Sequence, residues 1–219
     1  MLERGNVMVF IEHRDGQPAD VSLELMSKAR ELAHTLGVGV EAVAIGPSRG
    51  YDQEALGHYG CQRVFVVDLP GLNGFTSIPY AKALTQVIEE YEPQIVLFGA
   101  TSTGRDMAPR VASKLQCGLT ADCTDLQIGE HKAKGQVYEN VLLQIRPAFG
   151  GNIIATIVTP DVLPQMATVR EGVMQTPRRN GSRSGELIDV AVTPDDRDTS
   201  VSIIEKTYKE RRVDLAGSQ

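Results

Sequence analysis

The chain has 219 residues, 42% of them hydrophobic and 23% charged, with a formal net charge of −6. That is the composition of an ordinary globular protein, long enough for one large domain, or one domain with an appendage, around a real core. The negative balance argues against a general nucleic-acid binder, whose phosphate contacts need a basic surface. No apolar run approaches membrane-spanning length, and the start, Met1-Leu2-Glu3-Arg4-Gly5, leads into a strand rather than a signal peptide, so a cytoplasmic location is expected. Cys61, Cys117 and Cys123 are an odd number without metal-like pairing, expected as buried thiols rather than a disulfide or an iron–sulfur site.

In chain order, Asn6 to Glu12 is a nearly continuous apolar run rich in Val and Ile, which predicts a strand covered on both faces and central in its sheet. Asp20 suits a helix cap; Val21, Leu25, Ala29, Leu32, Ala33 and Leu36 then follow helical spacing, with Gly37 as the stop. Val38 to Ile45 predicts a second strand closed by Gly46-Pro47, and a short helix at about Tyr51 to His58 leads to a third strand, Arg63 to Val67. Ile78 to Tyr91 reads as a helix with Ala81, Leu84, Val87 and Ile88 on one face and Pro93 beyond its end. A strand from Gln94 to Phe98 then enters a small-residue turn that becomes helical at about Gly104. Repeated strand–helix alternation predicts an α/β fold with a doubly wound, mainly parallel sheet flanked by helices on both faces. That architecture is of a nucleotide-binding type, though architecture alone does not show that a nucleotide is bound.

After Leu119 strands follow strands. Thr120 to Ile128, Gly135 to Arg146 and Asn152 to Val158 predict antiparallel additions, and Pro164 to Arg170 continues the pattern. Arg178 to Gly185 is polar and glycine-containing enough for a mobile loop, and Glu186 to Val192 and Ser200 to Thr207 are further β-like segments.

Gly99 to Asp106 sits where an α/β fold usually carries its chemistry, and the backbone N–H groups of such a turn can face an anion or a partner's polar groups. It lacks the Gly-Lys-Ser/Thr ending of a phosphate loop and the spaced glycines of a dinucleotide motif, so a ligand loop and a tight glycine-dependent connection both remain open. Arg105, Asp106 and Arg110 are either a local ion-pair cluster or hold arginines ready for a partner or an anion. Asp122 beside Cys123 is expected as a hydrogen-bonded structural acid. His13, His34, His58 and His131 have no metal-ligand spacing and no Gly-x-Ser-x-Gly pattern occurs, so neither a metal site nor a catalytic residue is expected. In Arg146-Pro147-Ala148-Phe149-Gly150-Gly151-Asn152 a strand delivers an arginine to a rigid turn. The residue is either exposed on a hairpin or placed to donate hydrogen bonds to a carbonyl, a phosphate or a flavin ring.

Gly99-Ala100-Thr101, Gly104-Arg105-Asp106, Ala108-Pro109-Arg110-Val111-Ala112, Gly118 to Thr124, Arg146 to Asn152 and Pro164 to Arg170 together resemble the α subunit of electron-transfer flavoprotein over nearly the whole chain. The resemblance implies an electron carrier rather than a stand-alone enzyme. Such a carrier takes electrons from flavin dehydrogenases of the acyl-CoA dehydrogenase type and passes them to a quinone reductase or a ferredoxin-type acceptor, some members bifurcating electrons with NADH. It further implies a heterodimer with a β subunit that holds a second FAD or AMP. Residues 1–207 then correspond to an N-terminal α/β domain that docks on that subunit. Residues 208–219 correspond to a linker toward a C-terminal domain, outside this sequence, with the main FAD site. By the same likeness Arg146, Pro147 and Ala148 contact the β-bound flavin, and Arg105, Arg110, Phe149 and Asn152 belong to the partner interface. The alternative is a stand-alone adenine-nucleotide-binding α/β protein using the loop after Phe98.

Overall fold

A computed structural model describes residues 5–14, 17–46, 53–69, 72, 74–133, 135–148, 153–192, 200, 201, 203–205 and 207. In chain order its elements are β1 (Val7–Ile11), a two-residue pair β2 (His13–Arg14) and β3 (Gln17–Pro18), α1 (Asp20–Leu36), β4 (Val40–Ile45), a 3₁₀ helix (Gln53–Tyr59), β5 (Arg63–Val67), α2 (Ser77–Tyr91), β6 (Ile95–Gly99), α3 (Ser102–Leu115), β7 (Leu119–Cys123), β8 (Asp125–Ala133), β9 (Gln136–Pro147), β10 (Ile154–Ile157), β11 (Gln165–Val169) and β12 (Glu186–Asp189).

Seven strands pair in parallel in the order β12-β5-β4-β1-β6-β11-β7, with β1 at the centre as its apolar run predicts. Side chains alternate between the two faces, so each strand feeds two cores. Val7, Val9 and Ile11 join Leu25, Met26, Ala29 and Leu32 of α1 on one face, while Met8 and Phe10 join Leu84, Val87, Met107 and Val111 of α2 and α3 on the other. The same alternation in β6 sends Leu97 to the first core and Phe98 to the second. Helix ends follow the local chemistry. Gly37 ends α1 in the left-handed conformation at φ 71°, whereas the residue before α1 is Ala19 and Asp20 is its first helical residue, not its cap.

The second half departs from expectation at several elements. Thr120 to Ile128 is not one strand: it breaks at Thr124, leaving β7 in the parallel sheet and β8 in a separate antiparallel sheet ordered β10-β9-β8. β11 is not an antiparallel addition but runs parallel between β6 and β7, all five residues buried. β12 is likewise parallel, on the β5 edge. Ser200, Val201, Ile203 to Glu205 and Thr207 form no strand, and the stretch 208–219 lies outside the described residues. The stretch from Arg178 to Gly185 is tied down: Asn180 N–H donates to the His58 carbonyl at 2.9 Å, and Arg183 N–H to that of Asn180 at 3.1 Å.

The antiparallel sheet covers the α1 face. Leu126 of β8 and Leu142 of β9 are completely buried in the first core. At the junction Thr124 N–H donates to the Ile145 carbonyl at 2.8 Å, and Lys28 of α1 reaches Asp125 at 3.2 Å. If these two leucines clamp the sheets together, Leu142→Ala will lower unfolding free energy by roughly 2–5 kcal/mol, the usual cost of a buried Leu→Ala cavity. Urea denaturation checks this; a loss under about 1 kcal/mol would mean that the antiparallel sheet moves independently.

Candidate functional site

In an open α/β sheet the ligand crevice lies beyond the carboxyl ends of the strands, where the winding direction reverses. Here the chain winds from β1 outward to β4 and β5, then returns through α2 to β6 on the other side of β1. The crevice would therefore open between Glu12, after β1, and the Gly99–Thr101 turn after β6. It is closed. The Thr101 hydroxyl donates to the Glu12 carboxylate and accepts from the Gly104 N–H at 3.0 Å, capping α3. Thr101 is 4% exposed and Glu12 8%. Two further N–H groups here are used internally: Ala100 donates to the Val169 carbonyl at 2.7 Å and Arg105 to that of Thr101 at 2.9 Å.

The glycines serve this closure. A Cβ at Gly99 would meet the Val21 side chain of α1 at 2.8 Å, and one at Gly104 would lie 1.9 Å from the Gly99 carbonyl oxygen. Of the two readings of this loop, the tight connection is the one built. Between the ends of β1 and β6, where a doubly wound fold offers its ligand crevice, the Glu12 and Thr101 side chains are bonded to each other.

The three candidate arginines have different surroundings. Arg110 Nε donates to Asp106 at 3.1 Å, and Ser77 of α2 donates to the other oxygen of that carboxylate. Ser77's hydrogen bond, then Arg110, holds the Asp106 carboxyl below its usual range against the opposing pull of desolvation. Arg105 lies 3.0 Å from Asp122 Oδ1, an ion pair off hydrogen-bond geometry that balances the charge of this solvent-inaccessible oxygen without filling its lone pairs. Asp122 adopts the left-handed conformation at φ 60°, and its N–H donates to Thr168 at 3.0 Å. The expected hydrogen-bonded carboxylate is thus held by an ion pair instead, and the hydrogen bond here is made by its backbone.

Arg146 is half-buried at the end of β9, opposite Ala155 of β10, and no carboxylate among the described residues pairs with it. Pro147 stands opposite Ile154, and Ala148 N–H donates to the Ile153 carbonyl at 2.7 Å, closing the ladder. Ile153 and Ile154 beside it are 62% and 71% exposed. Phe149 and Asn152 lie outside the described residues. Cys123, wholly buried, lies within the field of Arg146; burial pushes its thiol up to about 12, outweighing that nearby cation. Cys61 is pushed equally far by burial. Cys61 and Cys123 are buried free thiols and Cys117 is half-buried.

Sequence reasoning passed over Glu12 and the two isoleucines. A lone charge ending an apolar central strand was the available signal for Glu12, and an apolar pair just after Gly150-Gly151-Asn152 was the signal for Ile153 and Ile154. Among the described residues no cluster of His, Cys, Asp or Glu could hold a metal ion, and no helix is long and apolar enough to cross a membrane.

The model of the electron transfer flavoprotein domain matches residues 7–195. The chain is 44% identical over 95% of its length to an electron transfer flavoprotein subunit alpha of Thermoanaerobacterium thermosaccharolyticum, covering 62% of that protein. It is 39% identical over its whole length to the lactate dehydrogenase (NAD(+),ferredoxin) subunit LctC of Acetobacterium woodii, covering 50% of it. It is 34% identical over 98% of its length to the acryloyl-CoA reductase electron transfer subunit beta of Anaerotignum propionicum, covering 63% of it. A doubly wound domain with a shut crevice, matched over this span, belongs to the electron transfer flavoprotein family, with its similarity on the α-subunit side. The chain spans between half and just under two thirds of the length of these relatives.

Two outcomes follow from this geometry. Thr101→Val removes the cap of α3 and the partner of a buried carboxylate, and is expected to cost about 1–3 kcal/mol in chemical denaturation; a neutral result would mean that the closure carries no stability. The Cys61 and Cys123 thiols have folded values raised to about 12 from 9.0, so the folded state keeps protons that the unfolded chain releases. Their contribution to stability is fully present below pH 9.0 and lost as pH rises toward about 12. Denaturation between those limits should show this decline, and a Cys61→Ala/Cys123→Ala variant should show a shallower one.

Proposed function

We propose that this chain is the docking part of an α-type subunit that seats on a β subunit and presents Arg146 to a flavin held there. The observation that carries this reading is the difference among the three arginines. Arg105 and Arg110 are neutralised inside the chain by Asp122 and Asp106, whereas Arg146 has no carboxylate partner among the described residues and stands beside two exposed isoleucines. A half-buried guanidinium without an acid, set at a strand end beside apolar surface, is suited to a partner that brings its own acceptor.

A bound flavin supplies the electron-carrying chemistry. In this chain the Arg146 guanidinium donates hydrogen bonds to the ring's nitrogen or carbonyl edge and favours negative charge on the reduced ring, raising its potential. Pro147 fixes the backbone next to Arg146, and Ala148 is held by its hydrogen bond to the Ile153 carbonyl. The Glu12–Thr101 contact supports placing flavin binding outside this chain's crevice rather than the adenine-nucleotide alternative.

In the assembled carrier, electrons come from a flavin dehydrogenase of the acyl-CoA dehydrogenase type and leave to a quinone reductase or a ferredoxin-type acceptor. The relatives named for NAD(+) and ferredoxin and for acryloyl-CoA reductase support the bifurcating form of this activity.

In the flavin-loaded complex, Arg146→Ala should lower the potential of the β-bound flavin by roughly 30–60 mV for a two-electron couple, the equivalent of losing a charge-assisted hydrogen bond of ~1.5–3 kcal/mol. An unchanged redox titration would refute the role of Arg146. The 219-residue chain purified by itself should show no visible flavin absorbance, and stoichiometric flavin would refute the docking assignment.

A further inference from the structure

We propose that Gln165 is a positioning residue for Arg146, holding β9 at the height from which it delivers the guanidinium. This rests on the reading of Arg146 given above.

The argument begins with the edges of β9. Ala148 N–H donates toward β10, to the Ile153 carbonyl. Because backbone direction alternates along a strand, the N–H groups of Arg146, Gln144 and Leu142 point to that same side. The pairing with β10 ends at Ile157 opposite Gln144. The next N–H on this edge, that of Leu142, therefore has no strand beside it, and it lies in the core, where an unpaired amide is costly. It donates instead to Gln165 Oε1, at 2.8 Å. The side-chain carbonyl takes over the ladder where β10 stops.

Gln165 is well placed for this. It opens β11, is 4% exposed, pairs with Ile95 of β6, and sends its own N–H to the Gln94 carbonyl at 2.9 Å. Its side-chain amide thus ties the antiparallel sheet to β11 of the parallel one. An anchor is needed at this point in particular. Asn140, two residues before Leu142, is in the left-handed conformation at φ 58°, and the β8–β9 register shifts between Gly129 and His131. Past that irregularity β8 and β9 pair again from Gly129 with Val141 to Asp125 with Ile145. Gln165 holds the opposite edge of β9 over this stretch, and Thr124, donating to the Ile145 carbonyl, extends the β8 edge. A slip of one residue would move Arg146 by about 3.4 Å and turn it to the opposite face.

The test compares Arg146→Ala, Gln165→Leu, Gln165→Asn and Gln165→Glu in the flavin-loaded complex with the β subunit, reading the potential of the β-bound flavin and hydrogen exchange at the Leu142 amide. Gln165→Leu removes the acceptor, Gln165→Asn draws it back from Leu142, and Gln165→Glu keeps it. The expected result is a potential lowered by Arg146→Ala, lowered part of the way by the Leu and Asn variants, and unmoved by Glu. Leu142 exchange should be at least about tenfold faster in the Leu and Asn variants, as for a lost protecting bond. Either the Leu or the Asn variant suffices if the other does not assemble. A potential lowered by Arg146→Ala but wild-type in the Leu or Asn variant overturns the positioning role alone. A potential indifferent to Arg146→Ala overturns the reading of Arg146, and this inference with it.

Discussion

The hydroxyl of Thr101 holds the centre of this structure together. It donates a hydrogen bond to Glu12 and accepts one from the Gly104 N–H, so a single side chain caps α3, partners a buried carboxylate and joins the ends of the two strands that flank the reversal point of the sheet. The glycines around it let α1 and α3 press against the loop, which is why the position that a doubly wound fold offers to a ligand is occupied by the protein itself. The same architecture that accommodates a nucleotide elsewhere becomes a rigid block.

A rigid block has value if something else is mounted on it. Two fully buried leucines, a junction hydrogen bond at Thr124 and the Lys28–Asp125 pair fasten the antiparallel sheet to the α1 face, and that sheet carries Arg146 on its outer part. The functional group thus lies away from the reversal point, on an addition to the fold, and its geometry depends on how firmly the addition is held. Charge balance among the three candidate arginines points the same way, since Arg105 and Arg110 are matched by Asp122 and Asp106, and Arg146 has no such match among the described residues.

What the sequence revealed follows from range. β1, β5, α1 and α2 were legible because their apolar patterns report burial on two faces or on one, a local property. β11 was misread because nothing in Gln165 to Val169 says that the chain has come back across the antiparallel sheet to slot between β6 and β7. Thr124 looked like the middle of a strand, for a change of sheet leaves no mark on alternation. Arg105, Arg110 and Arg146 were all visible as candidates, but their ranking depended on partners distant in sequence, Asp122 for one and none for another. Glu12 escaped notice because its meaning lies in Thr101, which only the fold brings beside it.

The central claim, that this domain keeps its own crevice shut and meets flavin from outside, is tested most directly by an experimental structure of the complete flavin-loaded complex. The account predicts Thr101 still bonded to Glu12 and the Arg146 guanidinium within hydrogen-bond reach of the ring of a flavin held by the partner subunit. A flavin or adenine nucleotide seated between Glu12 and Thr101, or Arg146 facing solvent with the flavin elsewhere, would contradict it.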